Sequence, residues 1–187
     1  MPPKIQITEE QIIEGALNIT REQGVEALNA RNLAKALGCS VQPIFRAFTN
    51  MGKLKEKVFE RVAAEYSQFL LQSMSGEDRL LGLLMAYIRF AQKEKNYFKL
   101  LHMSDRIGIS ETQSFTEIGI NKEIVGMIAQ VTNLPIKDAT AIYVGTFFAA
   151  HGIASMIATN HCSFSDEELR TIMTDIFDGM EMKYKKK

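Results

Sequence analysis

The residues that follow Gly38 include several side chains suited to contacts with a nucleic acid. The amide of Gln42 fits a two-pronged contact with adenine, and the guanidinium of Arg46 can reach guanine or a phosphate. The hydroxyls of Ser40 and Thr49 can meet phosphates. These residue types predict contact with a DNA duplex, provided that the chain holds them on a rigid element.

The apolar residues around this segment have the spacing of a helix-turn-helix. Ala34 is small where a second helix would cross closely, Gly38 permits a tight turn, and Ile44 fills the space between the two helices. This arrangement turns the face from Ser40 to Arg46 outward, so that its first residues can enter a major groove. The predicted DNA-binding residues are Arg31, Lys35, Ser40, Val41, Gln42, Pro43, Phe45, Arg46, Thr49, Lys53 and Lys55.

The charge pattern places a basic block at the same position. The whole chain is neutral, with 22 basic and 22 acidic residues. Residues 27–57 nevertheless hold six basic residues against one acidic residue, whereas residues 103–182 hold four against eleven. The asymmetry favours a basic block that faces a polyanion and an acidic carboxy-terminal body that faces away.

Helical periodicity runs through almost the whole chain and predicts an all-α protein. Thr8 with Gln11 and Ser165 with Glu168 fit capping boxes, and Ser40 is expected to cap the third helix. The predicted helices lie near 9–23, 30–37, 41–48, 51–74, 78–93, 96–102, 114–131, 135–160 and 165–183. We predict two domains, 1–48 and 49–187.

The run from Ile13 to Leu54 resembles the DNA-binding region of TetR-family transcriptional regulators. The residues that carry the resemblance are Ala16-Leu17, Gly24, Leu28, Arg31, Leu33-Ala34, Leu37-Gly38-Cys39-Ser40, Ile44-Phe45, Phe48, Asn50 and Leu54. The resemblance implies an all-helical homodimer that binds double-stranded DNA with an amino-terminal head. It also implies a carboxy-terminal domain that binds a small effector and dimerises through its last two long helices.

The chain departs from the family pattern at three positions. Phe45 stands where the family usually has Tyr, and Met51 stands where it usually has Lys. Both usual residues touch phosphates. Lys53 stands where an acidic residue is common, so Lys53 or Lys55 is expected to replace part of the lost positive charge.

Small residues recur at helical spacing within the segment 139–165, which holds no Asp, Glu, Lys or Arg. Its length would suit a membrane span, but its many polar groups favour a buried or subunit-interface helix. Together with an apolar stripe on the last helix, it predicts a dimeric four-helix interface, with intramolecular core packing as the alternative. The residues assigned to dimerisation are Gly145, Ala149, Gly152, Ile172, Ile176 and Met180.

Aromatic and histidine side chains of the carboxy-terminal domain are candidates for an effector cavity, with core packing as the alternative. They suit a moderately sized apolar or aromatic ligand, with histidines as polar anchors. The candidate ligand-binding residues are Tyr87, Phe90, Tyr97, Phe98, His102, Phe115, Phe147, Phe148 and His151.

The remaining patterns argue against other classes of protein. Cys39 and Cys162 are too few for a disulfide framework or a four-ligand zinc site, and the first seven residues lack a signal-peptide core. No phosphate loop, serine elbow or metal-binding helix motif is present, so we predict a cytoplasmic non-enzyme without metal or cofactor. The alternative function is a helical adaptor that binds only protein.

Overall fold

The structure of the protein, a computed structural model, describes residues 7–73, 79–104, 116, 120–160 and 162–186. These residues form α-helices and no strand, which confirms the predicted all-α class. The helices are α1 (Glu9–Gln23), α2 (Ala30–Ala36), α3 (Gln42–Ala47), α4 (Met51–Ser73), α5 (Arg79–Lys93), α6 (Lys95–His102), α7 (Ile120–Thr132), α8 (Ile136–Asn160) and α9 (Asp166–Lys185). A short 3-10 turn, Val25–Ala27, lies between α1 and α2.

The chain divides into two compact units. The head unit comprises the chain up to Gln68 together with Glu94–Ser104, and the body unit comprises Phe69–Lys93 together with the chain from Asp105 onward. The head unit therefore contains α1 to α3, most of α4, and α6. In the structure, most of α4 lies in the same compact unit as the first three helices. The domain boundary predicted after residue 48 stays a prediction.

Helix α1 begins and ends as the sequence predicts, and α2 begins at its predicted cap. The Thr8 hydroxyl accepts a hydrogen bond from the Gln11 backbone N–H, and the Gln11 side chain accepts one from the Thr8 N–H, which completes the capping box. Gly24 ends α1 with a φ of 87°. Asn29 caps α2 through its side-chain oxygen, which lies 2.9 Å from the Asn32 nitrogen.

The prediction that Ser40 caps α3 is wrong. Val41 occupies the N-cap position, and no side chain there accepts a hydrogen bond from the helix. If Ser40 were the cap, Pro43 would be the third helical residue, and proline has no N–H to donate to the serine hydroxyl. The helix instead begins one residue later and places Pro43 in its first turn, where the missing donor is harmless.

The head unit has a continuous apolar core. Ile12, Leu33, Ile44 and Leu54, which come from four successive helices, are each 0% exposed. On the surface, Arg61 of α4 forms ion pairs with Glu10 and Glu14 of α1. The core holds α3 against α1, and the ion pairs join α1 to α4.

The body unit is built mainly on α8, which packs against α5, α7 and α9. Ser165 and Glu168 form the predicted capping box at the start of α9. The predicted helix at 114–131 begins at Ile120 in the part described here, and most of residues 111–119 lie outside the described residues. Phe115, a predicted ligand contact, is among them.

Among the described helices, α8 alone is long and apolar enough to suit a membrane span by length and composition. Buried core helices of other proteins meet the same criterion. One face of α8 is buried within the body unit, where Ile142, Ala150 and Ala154 are each 0% exposed. This packing agrees with the prediction of a protein-facing helix.

Candidate nucleic-acid interface

The turn between α2 and α3 is set by backbone geometry. Gly38 takes a φ of 63°, in the left-handed region that other residues adopt only at a cost, and a Cβ there would meet no atom within 4 Å. The Cys39 N–H then donates to the Ala34 carbonyl oxygen at 2.9 Å. The chain thus reverses tightly enough to bring α3 back across α1, as the helix-turn-helix spacing predicts.

The two faces of α3 differ sharply. Ile44 is fully buried and Phe48, which follows the helix, is 6% exposed. Gln42, Phe45 and Arg46 are exposed on the opposite face, so the amide and the guanidinium proposed to meet base edges point to solvent. A short helix anchored by one apolar side and presenting polar side chains on the other suits entry into a major groove.

Two exposed apolar side chains accompany these polar groups. Val41 is 40% exposed and Phe45 is 47% exposed, both beside Gln42. Apolar atoms at such positions can pack against the methyl group of thymine or against sugar carbons. At residue 45 the chain therefore offers apolar contact in place of the phosphate hydrogen bond that a tyrosine hydroxyl would make.

The start of α4 contributes a second group of candidates. The Asn50 side-chain oxygen accepts the Lys53 backbone N–H at 3.0 Å and caps the first turn. Lys53 Nζ lies 2.9 Å from a carboxylate oxygen of Glu56, and that hydrogen bond raises the pKa of Lys53 above its ordinary value. Lys53 therefore remains charged, but Glu56 offsets part of the charge that it can offer to a phosphate.

The other predicted DNA contacts lie on α2, on α3, at the start of α4 and in the segments between these helices. Arg31, Lys35, Ser40 and Thr49 are exposed, while Pro43 and Lys55 are half-buried.

Sequence reasoning missed the contacts by which α6 holds α1. The Asn96 side-chain nitrogen donates to the Arg21 carbonyl oxygen at 2.9 Å, and the buried Tyr97 hydroxyl donates to the Leu17 carbonyl oxygen at 3.2 Å. The Arg21 guanidinium lies 4.7 Å from the centre of the Tyr97 ring and forms ion pairs with Glu65 and Glu94. Burial raises the pKa of Tyr97 to about 12, so its hydroxyl keeps its proton.

These contacts carried no signal in the sequence, because their partners are separated by more than 40 residues along the chain. The sequence predicts Tyr97 and Phe98 as ligand contacts. In the structure both are fully buried parts of the head-unit core. His102 packs there edge to face on Tyr66, with ring centres 4.9 Å apart.

The body unit brings together another part of the predicted ligand set. The Tyr87 hydroxyl and Nδ1 of His151 are hydrogen-bonded at 2.7 Å, and the Phe147 ring stacks on the His151 ring. Phe148 adjoins Phe147, with ring centres 6.1 Å apart. Burial lowers the pKa of His151, which favours the neutral imidazole.

Phe90 packs on the ring of Phe69, with ring centres 5.6 Å apart. A separate cavity of the body unit, about 320 Å³ in volume, is lined by residues of α5, α7 and α9. The predicted ligand residues that the structure describes are absent from its lining. These predictions remain untested as ligand contacts.

The predicted dimerisation residues fall into three groups. Gly145 and Met180 pack on each other within the chain, since a Cβ on Gly145 would lie 2.9 Å from the Met180 methyl group. Gly152 and Ile172 are exposed, and a Cβ on Gly152 would meet nothing within 4 Å. Ala149 and Ile176 are half-buried. The structure therefore uses Gly145 for internal packing and leaves Gly152 on an open face.

The described residues contain no group of three His, Cys, Asp or Glu side chains that could hold a metal ion. Cys39 and Cys162 are half-buried free thiols.

These features define an all-helical protein with an amino-terminal helix-turn-helix and a separate helical body. The chain is 23% identical over 177 residues to an uncharacterized HTH-type transcriptional regulator, YobS, of Bacillus subtilis (strain 168). The match covers 90% of this chain and 87% of that protein.

Two further relatives are named nucleoid occlusion factor SlmA. They come from Haemophilus ducreyi and Glaesserella parasuis serovar 5, and each is 26% identical, over 107 and 106 residues respectively. Each of these matches covers 54% of this chain and 53% of the relative. No protein-family model matches the chain.

Proposed function

We propose that this chain is a TetR-like, cytoplasmic transcriptional repressor. It binds a palindromic or pseudo-palindromic operator as a homodimer and leaves the operator when a small apolar or aromatic effector binds. The observation that carries the proposal is the outward face of α3. Ile44 anchors the helix in the head core, while Gln42, Phe45 and Arg46 remain exposed within the basic block.

The similarity to a protein named an HTH-type transcriptional regulator supports this choice, because that match runs through both units of the chain. The relatives carry the names of regulators or of a nucleoid occlusion factor, which favours a non-enzyme. Direct readout then assigns roles to the side chains of the head. Gln42 and Arg46 read base edges, while Arg31, Lys35, Ser40 and Thr49 hold phosphates.

The open face of α8 supports dimerisation. Phe148, Gly152 and Met156 recur every four residues along this helix and are all exposed, with Phe148 54% and Met156 45% exposed. Ile172 and Met182 add exposed apolar area on α9. A second copy that covers this face would remove apolar surface from water and pair two heads by a two-fold axis. Two α3 helices would then meet half-sites about 34–36 Å apart, or a multiple of that distance.

The course of the chain supports effector control. Residues of α4 belong to both compact units, and α6, which belongs to the head unit, is flanked in sequence by segments of the body unit. A change in the body unit therefore has two covalent routes to the head. The effector would favour a state in which α4 swings like a pendulum, so that the spacing of the heads no longer matches the operator. It can shift the equilibrium only by its difference in affinity for the two states.

The test of DNA binding is selection of fragments from a random duplex pool, followed by affinity measurements on the selected sequence. We expect a symmetric consensus and an affinity that falls steeply between about 50 and 200 mM salt, because bound cationic side chains release counterions. Arg46→Ala should lower affinity at least about tenfold. The control is Arg170→Ala, an exposed arginine of α9. Absence of binding at about 50 mM salt would favour the protein adaptor instead.

The test of dimerisation is the molar mass of the full chain in solution. Phe148→Asp and Met156→Asp place charges on exposed positions of the open face, so each should yield folded monomer. Removal of residues 165–187 should also abolish the dimer. Val131→Asp, at a position of α7 that is 79% exposed, is the matched control. A dimer mass that survives the Asp substitutions and the deletion would contradict this interface.

A further inference from the structure

A cavity of about 320 Å³ opens in the body unit, apart from the aromatic cluster around His151. Its volume lies at the lower end of the range for small-molecule sites, which is about 300–1,000 Å³. Three helices contribute its walls. The lining residues are Leu80, Leu81, Leu84, Met127, Ile128, Val131, Met173, Thr174, Phe177 and Asp178.

The cavity has a rigid floor and an open mouth. Leu84 and Ile128 are each 2% exposed, and Met173 is 0% exposed, so packing from the rest of the body unit holds them in place. Val131 is 79% exposed and lies at the opening. A ligand could thus bury an apolar portion against the floor without displacing core side chains.

The apolar walls come from pairs of residues four apart on each helix. α5 supplies Leu80 and Leu84, and α7 supplies Met127 and Val131. On α9, Met173 is followed four residues later by Phe177. Each pair presents one turn of helix surface toward the same space. The unbranched side chain of Met127, which is half-buried, suits a site that adapts to the shape of an alkyl or aryl group.

The polar side chains of the lining come from a single wall. Thr174 and Asp178 lie one turn apart on α9, and Asp178 is the only charged residue among the lining residues. Asp178 is exposed, and no ion pair joins it to another described residue. A carboxylate beside an apolar cavity that is lined by no basic side chain complements a cation and disfavours an anion.

We propose that this cavity is the effector site and that it takes a cationic amphiphile, a molecule with one ammonium group on an alkyl or aryl body. The apolar body would lie between α5, α7 and α9, with its ammonium group at Asp178 and Thr174. As an effector site it rests on the function proposed above. Met173 and Ile172 are neighbours on α9, one lining the cavity and the other exposed on the proposed dimer face, so occupancy can bias the spacing of the two heads.

The first experiment measures heat of binding to the full chain, without DNA, for three probes of equal chain length: n-octylamine, 1-octanol and octanoate. We expect octylamine to bind best, octanol about three- to fivefold more weakly, and octanoate weakest of all, because only the amine gains the ion pair. Equal affinity for octylamine and octanoate, or binding of neither octylamine nor octanol, would overturn the proposal.

Two pairs of variants locate the bound probe. Asp178→Asn should lower octylamine affinity about three- to fivefold and leave octanol unchanged, whereas Asp175→Asn, on the same helix but outside the lining, should change neither. Val131→Arg should lower octylamine affinity at least about tenfold by placing a cation at the mouth. Ile136→Arg, at an exposed position outside the lining, should change it less than about twofold. Insensitivity to both lining variants would place the probe elsewhere and overturn the site.

The final arm repeats the operator-affinity measurement with octylamine present. Weaker operator binding by the parent chain, but not by Val131→Arg, supports an effector role for the cavity. Octylamine binding with no effect on operator affinity would refute that role while leaving the function proposed for the head intact. If the chain binds no DNA, the proposed function fails, while the heat measurements still decide whether the cavity binds amines.

Discussion

The Tyr87 hydroxyl of α5 and Nδ1 of His151 on α8 are joined by a hydrogen bond of 2.7 Å. Phe147 stacks on the same imidazole, and Tyr87 is only 4% exposed. A polar pair thus links the two helices within an aromatic surrounding. Because a low-dielectric environment disfavours the imidazolium, burial lowers the pKa of His151 below the ordinary value of 6.5.

This relationship predicts a stability that depends on pH. Below pH 6.5 the unfolded chain takes up a proton on His151 that the folded chain resists, so the free energy of unfolding should fall from about pH 7.5 to 5.5. Urea denaturation across that range measures the effect. In His151→Gln, which retains a hydrogen-bonding side chain, the fall should be smaller because the imidazole of residue 151 is gone. The other two histidines are present in both proteins, so they do not create the difference. An identical pH slope in the two proteins would contradict the prediction.

Base readout and phosphate contact should depend on different residues of the head. Gln42→Ala should reduce the difference in affinity between operator variants, by about 1–3 kcal/mol at the base that it contacts. Lys53→Ala should weaken binding to all duplexes about equally. Affinities for a panel of single-base operator variants provide the measurement. Equal behaviour of the two variants across that panel would contradict this division of roles.

Because Glu56 pairs with Lys53, removal of the Glu56 carboxylate should raise the affinity for DNA. Glu56→Gln removes the carboxylate that lies 2.9 Å from Lys53 Nζ, so a bound phosphate would meet a less compensated cation. We expect DNA binding to tighten about two- to threefold at low salt and by less at high salt. Glu167→Gln makes the same charge change on α9 in the body unit and should leave affinity unchanged. Equal tightening in both variants would indicate an effect of net charge alone.

Gly38 should be hard to replace for reasons of backbone conformation. A Cβ would meet nothing nearby, but alanine at a φ of 63° costs about 1–2 kcal/mol. Chemical denaturation should detect this loss for Gly38→Ala and a smaller loss for Gly38→Asn, because asparagine tolerates this region better. Gly126→Ala, a helical glycine that also has open space around it, should instead gain up to about 1 kcal/mol. A neutral Gly38→Ala would refute this account of the turn.

The start of α9 should lose stability in acid. The hydrogen bond from Arg89 holds the pKa of Asp166 below its ordinary value of 3.8, so the pair stabilises the fold above about pH 4 and is lost as the pH falls through that lower pKa. At neutral pH, Asp166→Asn should lower the free energy of unfolding by under about 1 kcal/mol, since both side chains are more than a third exposed. Glu167→Gln is the control in the same helical turn. An equal loss in both variants would argue against a specific role for Arg89.

Local signals predicted much of the fold. Capping residues placed the starts of α1, α2 and α9, because an N-cap depends on only a few neighbouring residues. The helix-turn-helix was predictable for the same reason: Ala34, Gly38 and Ile44 act through nearby turns and one crossing helix. The predicted cap of α3 is wrong because Ser40 as the N-cap would place Pro43, which has no N–H, at the third helical position.

The candidate effector residues were harder to predict. Tyr87 and Tyr97 look alike in the sequence, yet one bonds to His151 in the body unit and the other to the Leu17 carbonyl oxygen in the head unit. The lining of the cavity also has a sequence signal, the pairs spaced four residues apart. That spacing identifies one face of a helix, but it does not identify the helix that packs against this face.

The order of apolar and capping residues determined the helices of this protein, and the residue types on α3 determined the chemistry that it can present, because both depend on neighbours within a turn or two. Only the tertiary structure decided that α6 joins the head, that Gly145 packs on Met180, and that α5, α7 and α9 enclose a cavity beside Asp178. Those outcomes depend on packing between residues far apart in the chain, where many helix faces are equally apolar and shape selects among them.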